Sequence, residues 1–193
     1  MSEEIEQPQS RLEAPYDLSN FKLLIVEDSA FIGNLMNSAL TEMGVGKIIG
    51  AQSMEAAKEK ILNFNAVQSS QNIDVLILDW LMPDGKGSEL LDWLRHHKSD
   101  TIKYLPVVIC SAYASTELVE ESRDKGANEA MVKPVSAEKL AQRILYVIDK
   151  PRPYISSPTF FGPDRRRKKQ KFDGAEKRTT DPSDIEEEHE QLQ

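Results

Sequence analysis

Between residues 21 and 150, short apolar runs alternate with segments whose apolar residues recur every three to four positions. A short apolar run bounded by polar residues is the pattern of a strand buried on both faces. Lys22–Glu27, Asp74–Asp79 and Pro106–Cys110 show it clearly, and Lys47–Ala51 and Glu129–Val132 more weakly. Phe31, Ile32, Leu35, Met36, Ala39, Leu40 and Met43 share one helical face, and Gly44 stops the run. Ser53 is placed to cap a second helix carrying Ala56, Ala57, Ile61 and Leu62; Leu90, Leu91 and Leu94 mark a third; Leu118 and Val119, ending near Gly126, mark a fourth. Ser136 is placed to cap a fifth, with Leu140, Ala141, Ile144, Leu145 and Ile148, which Pro151 ends. Five strands alternating with five helices through short connections predict an α/β fold with parallel strands and right-handed crossovers. Every strand C-terminus then points to one edge of the sheet, where ligands of such sheets bind.

The chemistry-bearing residues fall at those C-termini. Glu27 and Asp28 close the first strand, Asp79 the third, Ser111 the fourth, and Lys133 with Pro134 the fifth. With the first strand between the second and third, the three acids converge beside Ser111 and Lys133. Two carboxylates about 4 Å apart repel by roughly 4 kcal/mol at an effective dielectric of 20, so three together call for positive charge. Lys133 supplies one cation, and three oxygen donors at a solvent-open edge suit Mg²⁺. Asp79 then becomes a nucleophile for a phosphoryl group, with Lys133 to stabilise charge on the transferring oxygens and the Ser111 hydroxyl to bond one of them.

LIVEDS at 24–29, LILDWLMPDGKGSELL at 76–91, PVVICSA at 106–112 and GANEAMVKPV at 126–135 resemble the receiver domain of two-component response regulators, over residues 21–150. The resemblance implies a flavodoxin-like doubly wound five-stranded sheet of order 2-1-3-4-5. It implies Asp79 as phosphoacceptor, Asp28 as a direct metal ligand, Glu27 as a ligand through water, and the Leu81 carbonyl as a further ligand. Ser111 would be the switch hydroxyl, Lys133 the phosphate-binding cation, and the Lys133–Pro134 peptide is one that the family often has in the cis form. The donor would be a phosphohistidine on a histidine kinase or phosphotransfer protein. The surface containing Tyr113, Glu117, Ala130 and Val135 would contact a downstream protein. One residue departs from the pattern: Ala130 stands where the family usually has Tyr or Phe, and Tyr113 is the residue placed to substitute for it.

The flanks modify this picture. Residues 1–20 carry five acids and one base, and residues 151–193 nine of each, segregated into a basic block at 165–171 and an acidic one at 181–190. Both segments read as disordered tails, because neither carries enough apolar surface to offset chain entropy. The expected organisation is therefore a tail at 1–20, a receiver domain at 21–150 and a charged tail at 151–193. The second tail admits sharper readings: binding an acidic partner or nucleic acid through its basic block, folding back on the acidic edge of the domain, or anchoring Phe160 and Phe161 in a partner groove. The net charge of −8 weighs against generic nucleic-acid binding. No apolar run approaches the roughly 18 residues of a membrane helix, and the acidic start is no secretory signal, so a cytoplasmic protein is expected. Cys110, among Val107, Val108 and Ile109, reads as a buried inert thiol. His96 and His97 read as surface residues at a helix end, and Trp80 and Trp93 as packing residues. No enzymatic output domain is expected; the output is protein contact, with a phosphate sink or a nucleic-acid-binding regulator as alternatives.

Overall fold

The computed structural model describes residues 17–112 and 115–166, together with the backbone of 186–188. In chain order the elements are β1 (Lys22–Val26), α1 (Ala30–Glu42), β2 (Lys47–Ala51), α2 (Met54–Asn65), β3 (Val75–Asp79), a minimal hairpin of β4 (Leu81–Met82) and β5 (Gly85–Lys86), α3 (Gly87–Arg95), a one-turn α4 (Asp100–Lys103), β6 (Val107–Ser111), α5 (Thr116–Asp124), β7 (Glu129–Val132) and α6 (Ala137–Asp149). The central sheet has the order β2-β1-β3-β6-β7, and all its pairings are parallel. This is the expected 2-1-3-4-5 arrangement. The β4–β5 hairpin and α4 were not anticipated, because two-residue strands and a single helical turn are too short to leave a period.

The helix starts follow their caps. Ser29, Ser53, Ser115 and Ser136 each accept a hydrogen bond from the backbone amide three residues on, at Ile32, Ala56, Leu118 and Lys139. Each satisfies a donor that a helix N-terminus leaves without an intrahelical partner. The central strand β3 is buried on both faces, and its side chains divide two cores. Leu76 and Leu78 pack with Ala57, Ile61, Leu90, Leu91 and Leu94 of α2 and α3. Val75 and Ile77 pack with Met36, Leu40, Leu140 and Ile144 of α1 and α6. Alternation along the strand, with helices on both sides, is what holds the strand ends in a fixed line.

The chain does not leave the domain at Lys150. Strands β8 (Tyr154–Ser157) and β9 (Phe160–Pro163) form an antiparallel hairpin, and β10 (Glu186–Glu188) pairs antiparallel with the other edge of β8. The boundary expected at 150 is therefore corrected to beyond Pro163. Tyr154 and Ile155 are buried, and the hairpin packs where β6 and β7 begin. Tyr154 donates to the Tyr104 carbonyl, and the Tyr104, Tyr154 and Phe161 rings lie edge-on or tilted with centroids 4.9–5.5 Å apart. Lys103 sits 3.8 Å from the Phe161 centroid. A Cβ on Gly162 would lie 2.7 Å from Gly126 Cα, so only glycine permits this approach. Tyr154 and Phe161, packed against Tyr104, thus bury enough surface to order a segment whose composition reads as a tail. The first expected tail, residues 1–20, lies outside the described residues up to Tyr16, as does most of the segment after Arg166.

Candidate functional site

Parallel register brings the strand ends level. Val26 pairs with Leu78, Asp79 with Cys110, and Ser111 with Val132, so Glu27, Asp79, Ser111 and Lys133 stand in one row across four strands. Oxygen atoms of Glu27, Asp28 and Asp79 all lie within 4.8 Å of one another. Glu27, Asp79 and Ser111 are buried, whereas Asp28 is exposed. The row is thus open on the Asp28 side.

Lys133 closes the other side. Its ammonium donates to Glu27 Oε2 at 2.5 Å and to Asp79 Oδ2 at 2.8 Å, with only 11% of its side chain exposed. Burial pushes the Glu27 carboxyl above the usual carboxylate range; the Lys133 hydrogen bond works against this and the Asp79 charge with it. Burial alone would lower the Lys133 pKa, but bonds to Asp79 and Glu27 outweigh it and hold the ammonium above its ordinary value. Lys133 also donates its backbone amide to the Ser111 carbonyl at 2.7 Å, and the Lys133–Pro134 peptide is cis. The lysine is therefore held from its backbone as well as from its tip.

The remaining Asp79 oxygen, Oδ1, accepts the Leu81 amide at 3.3 Å, which places Leu81 against the carboxylate. Below, α3 starts so close to β3 that a Cβ on Gly87 would meet the Asp79 carbonyl at 2.7 Å and Trp80 Cα at 3.2 Å. Glycine at 87 is what lets α3 support the strand end. Cys110, next to Ser111, is fully buried, and burial pushes its thiol up to about 12.

All six expected site residues come together. Of the expected contact surface, Glu117 is exposed, and Ala130 and Val135 are half-buried; Tyr113 lies outside the described residues. Two features went unseen in the sequence. Arg95 is buried and donates to the carbonyls of Gly126, Lys103 and Leu105 and to Asn128 Oδ1, tying α3 to the starts of β6 and β7. Its position four residues after Leu91, on the apolar stripe of α3, was the available signal. Glu129 is buried against Arg143 of α6 at 2.9 Å. The expectation that Phe160 and Phe161 anchor a partner groove is corrected for Phe161, whose ring lies against Tyr104 and Tyr154 of its own domain. The fold-back on the acidic edge is not made by the hairpin, which packs at the opposite edge of the sheet; the basic residues 167–171 lie outside the described residues.

A family model described as the response regulator receiver domain matches residues 23–145. The chain is 28% identical over 129 residues to the chemotaxis protein CheY of Pseudomonas aeruginosa, which covers 67% of this chain and 97% of that protein. It is 30% identical over 123 residues to the transcriptional regulatory protein KdpE of Staphylococcus aureus, covering 64% of this chain and 48% of that one. The structure is similar to that of the chemotaxis response regulator CheY4 of Vibrio cholerae, with a TM-score of 0.58, 26% identity, and coverage of 66% of this chain and 98% of that one. Among the described residues no helix is long and apolar enough to cross a membrane.

Proposed function

The chain belongs to the response regulator receiver family, and from that premise we propose that it accepts a phosphoryl group from a phosphohistidine onto Asp79 and signals through protein contacts. The observation that carries the reading is the two-pronged hold of Lys133 on Glu27 and Asp79, which sets a cation directly against the buried Asp79 carboxylate. An Asp79 oxygen forms the bond to phosphorus as the bond to the imidazole nitrogen breaks, and the imidazole regains its proton from solvent. Lys133 then pairs with a phosphoryl oxygen, and the Ser111 hydroxyl bonds another.

The donor set fits Mg²⁺: three hard carboxylate oxygens within 4.8 Å, one of them on exposed Asp28, leave room for water ligands. Asp28 and Asp79 would hold the ion directly, Glu27 through water, and the Leu81 carbonyl would complete the protein ligands. When bound, it supplies charge neutralisation on the transferring oxygens.

The response passes from Ser111 and the start of α5 to the surface of Glu117, Ala130 and Val135, as a shift between two populations. The chain acts as a cytoplasmic phosphoacceptor that assists its own phosphorylation and dephosphorylation and catalyses no other reaction. Its donor is a histidine kinase or phosphotransfer protein.

The test is to offer acetyl phosphate with Mg²⁺ to the wild type and to Asp79→Asn, and to measure intact mass. One added phosphoryl group in the wild type and none in the variant is expected. An equal gain in both removes Asp79 as the acceptor.

A further inference from the structure

Strand β8 is paired on both edges. Tyr154 and Ile155 are both buried, and β9 pairs with it over four residues, Tyr154 with Pro163 through Ser157 with Phe160. The other edge takes three residues only: Ser156 pairs with Glu186, Ile155 with Glu187, and Tyr154 with Glu188. Three consecutive glutamates are a poor strand by intrinsic preference, since Glu is depleted in strands and like charges crowd one another. The segment is therefore extended because the edge offers unpaired backbone groups, not because its sequence favours the conformation.

The surroundings explain why an acidic segment is the one that docks. Among the described residues from 150 to 166 the chain has four basic residues, Lys150, Arg152, Arg165 and Arg166, against one acid, Asp164. Between 181 and 190 it has six acids and no lysine or arginine. Arg152 is fastened beside β8, donating to the carbonyls of Asn128 and Asp164. Arg165 lies over the Phe160 ring and bonds Asp124 at 3.0 Å. The hairpin thus combines a rigid strand edge with a basic flank.

We propose that the outer edge of β8 is a docking site for an extended acidic segment of a partner protein, and that residues 186–188 occupy it in the unbound chain as a tethered competitor. The mode is strand addition: main-chain hydrogen bonds supply the affinity, and the basic flank supplies the preference for acid. The tether sets the threshold. Twenty-two residues separate β9 from β10, and a tether of that length sets an effective concentration on the order of millimolar for the resident strand. Three paired residues at that concentration are displaced by a partner strand that pairs further along β8, whereas a short free strand competes poorly. A second copy of this chain offers only the same three residues without the tether, and is outcompeted at micromolar protein. The site sits at the strand N-termini, away from Asp79, and does not depend on how Asp79 is read.

The test uses the full chain and its Glu187→Pro variant, which cannot pair as a strand yet leaves β8 untouched. The probe is a fluorescent peptide with the sequence of residues 181–190. At low salt the variant should bind it at least tenfold more tightly than the wild type, and the affinity should fall as salt rises. The same peptide with its three consecutive glutamates replaced by glutamine should bind more weakly. Amide exchange at 154–157 should be faster in the variant than in the wild type and slow again with peptide. Equal peptide affinity in the two proteins, no binding to the variant at millimolar peptide, equal binding of the glutamine peptide, or unchanged exchange at 154–157 would each overturn the proposal.

Discussion

Lys133→Met isolates the ammonium from its stem, because methionine keeps much of the apolar length and removes the charge. In the wild type the ammonium lies 2.5 Å from Glu27 and 2.8 Å from Asp79. At an effective dielectric of 20 each contact carries about 6 kcal/mol of attraction before desolvation is subtracted. Burying the ammonium cancels much of that, so the net loss is better taken from the cost of orphaning a buried charge, about 3–5 kcal/mol. A second route gives a similar figure. Without the lysine, Glu27 and Asp79 face each other within 4.8 Å, a repulsion of about 3 kcal/mol at the same dielectric. The variant should therefore be about 3 kcal/mol less stable at pH 7 in the absence of divalent ions, which lowers the urea midpoint by on the order of 1–2 M. Urea titration followed by Trp80 and Trp93 fluorescence reads this directly. Added Mg²⁺ should restore more stability to the variant than it adds to the wild type, because the freed carboxylates regain a counter-charge. A loss below about 1 kcal/mol would mean that the carboxylates do not need the lysine, and the electrostatic account of the site would fall with it.

Gly87→Val places a side chain where a Cβ already meets the Asp79 carbonyl at 2.7 Å; a stability loss of about 1–3 kcal/mol and slower phosphorylation by acetyl phosphate are expected, measured by urea titration and by mass. Burial raises the Cys110 thiol to about 12, so the thiolate is suppressed throughout pH 7–9 and maleimide should label the protein only after urea unfolding; rapid labelling of the native protein would contradict the buried position. Tyr154→Ala removes a ring packed against Tyr104 and Phe161 and a hydrogen bond to the Tyr104 carbonyl; about 3 kcal/mol of hairpin stability should be lost, seen as proteolysis between residues 150 and 163 with the sheet intact. Partial burial raises the Asp164 carboxyl, but hydrogen bonds from Arg166 outweigh it and hold the group below its ordinary value of 3.8. A depressed folded pKa gives stabilisation that is present above the unfolded pKa and lost as pH falls through the folded one. Amide protection of β9 should hold down to about pH 4 and decline below it, and loss of protection already at pH 6 would refute this.

The amino-acid sequence by itself determined the sheet and which candidate residues stand at its edge. Runs such as Val75–Asp79 have no polar face, so they had to lie inside two helical layers, and alternation with helices made the strands parallel. Parallel strands put their C-termini on one edge, and Glu27, Asp79, Ser111 and Lys133 were each readable as the residue at such an end. These are local signals, repeated at the spacing of a strand or a helix turn. Only the tertiary structure decided that Lys133 bridges both Glu27 and Asp79, because strands 106 residues apart in the chain, measured from Glu27 to Lys133, become neighbours of the same carboxylate row. It also decided the fate of Arg95 and of the segment after Lys150. A buried arginine looks like any helix-end cation until the carbonyls of Gly126, Lys103 and Leu105 converge on it. Tyr154 and Phe161 look like isolated aromatics in a charged tail until Tyr104 meets them and Gly126 makes room for Gly162. Such positions are stabilised by partners distant in the chain, and no periodicity along the chain records them.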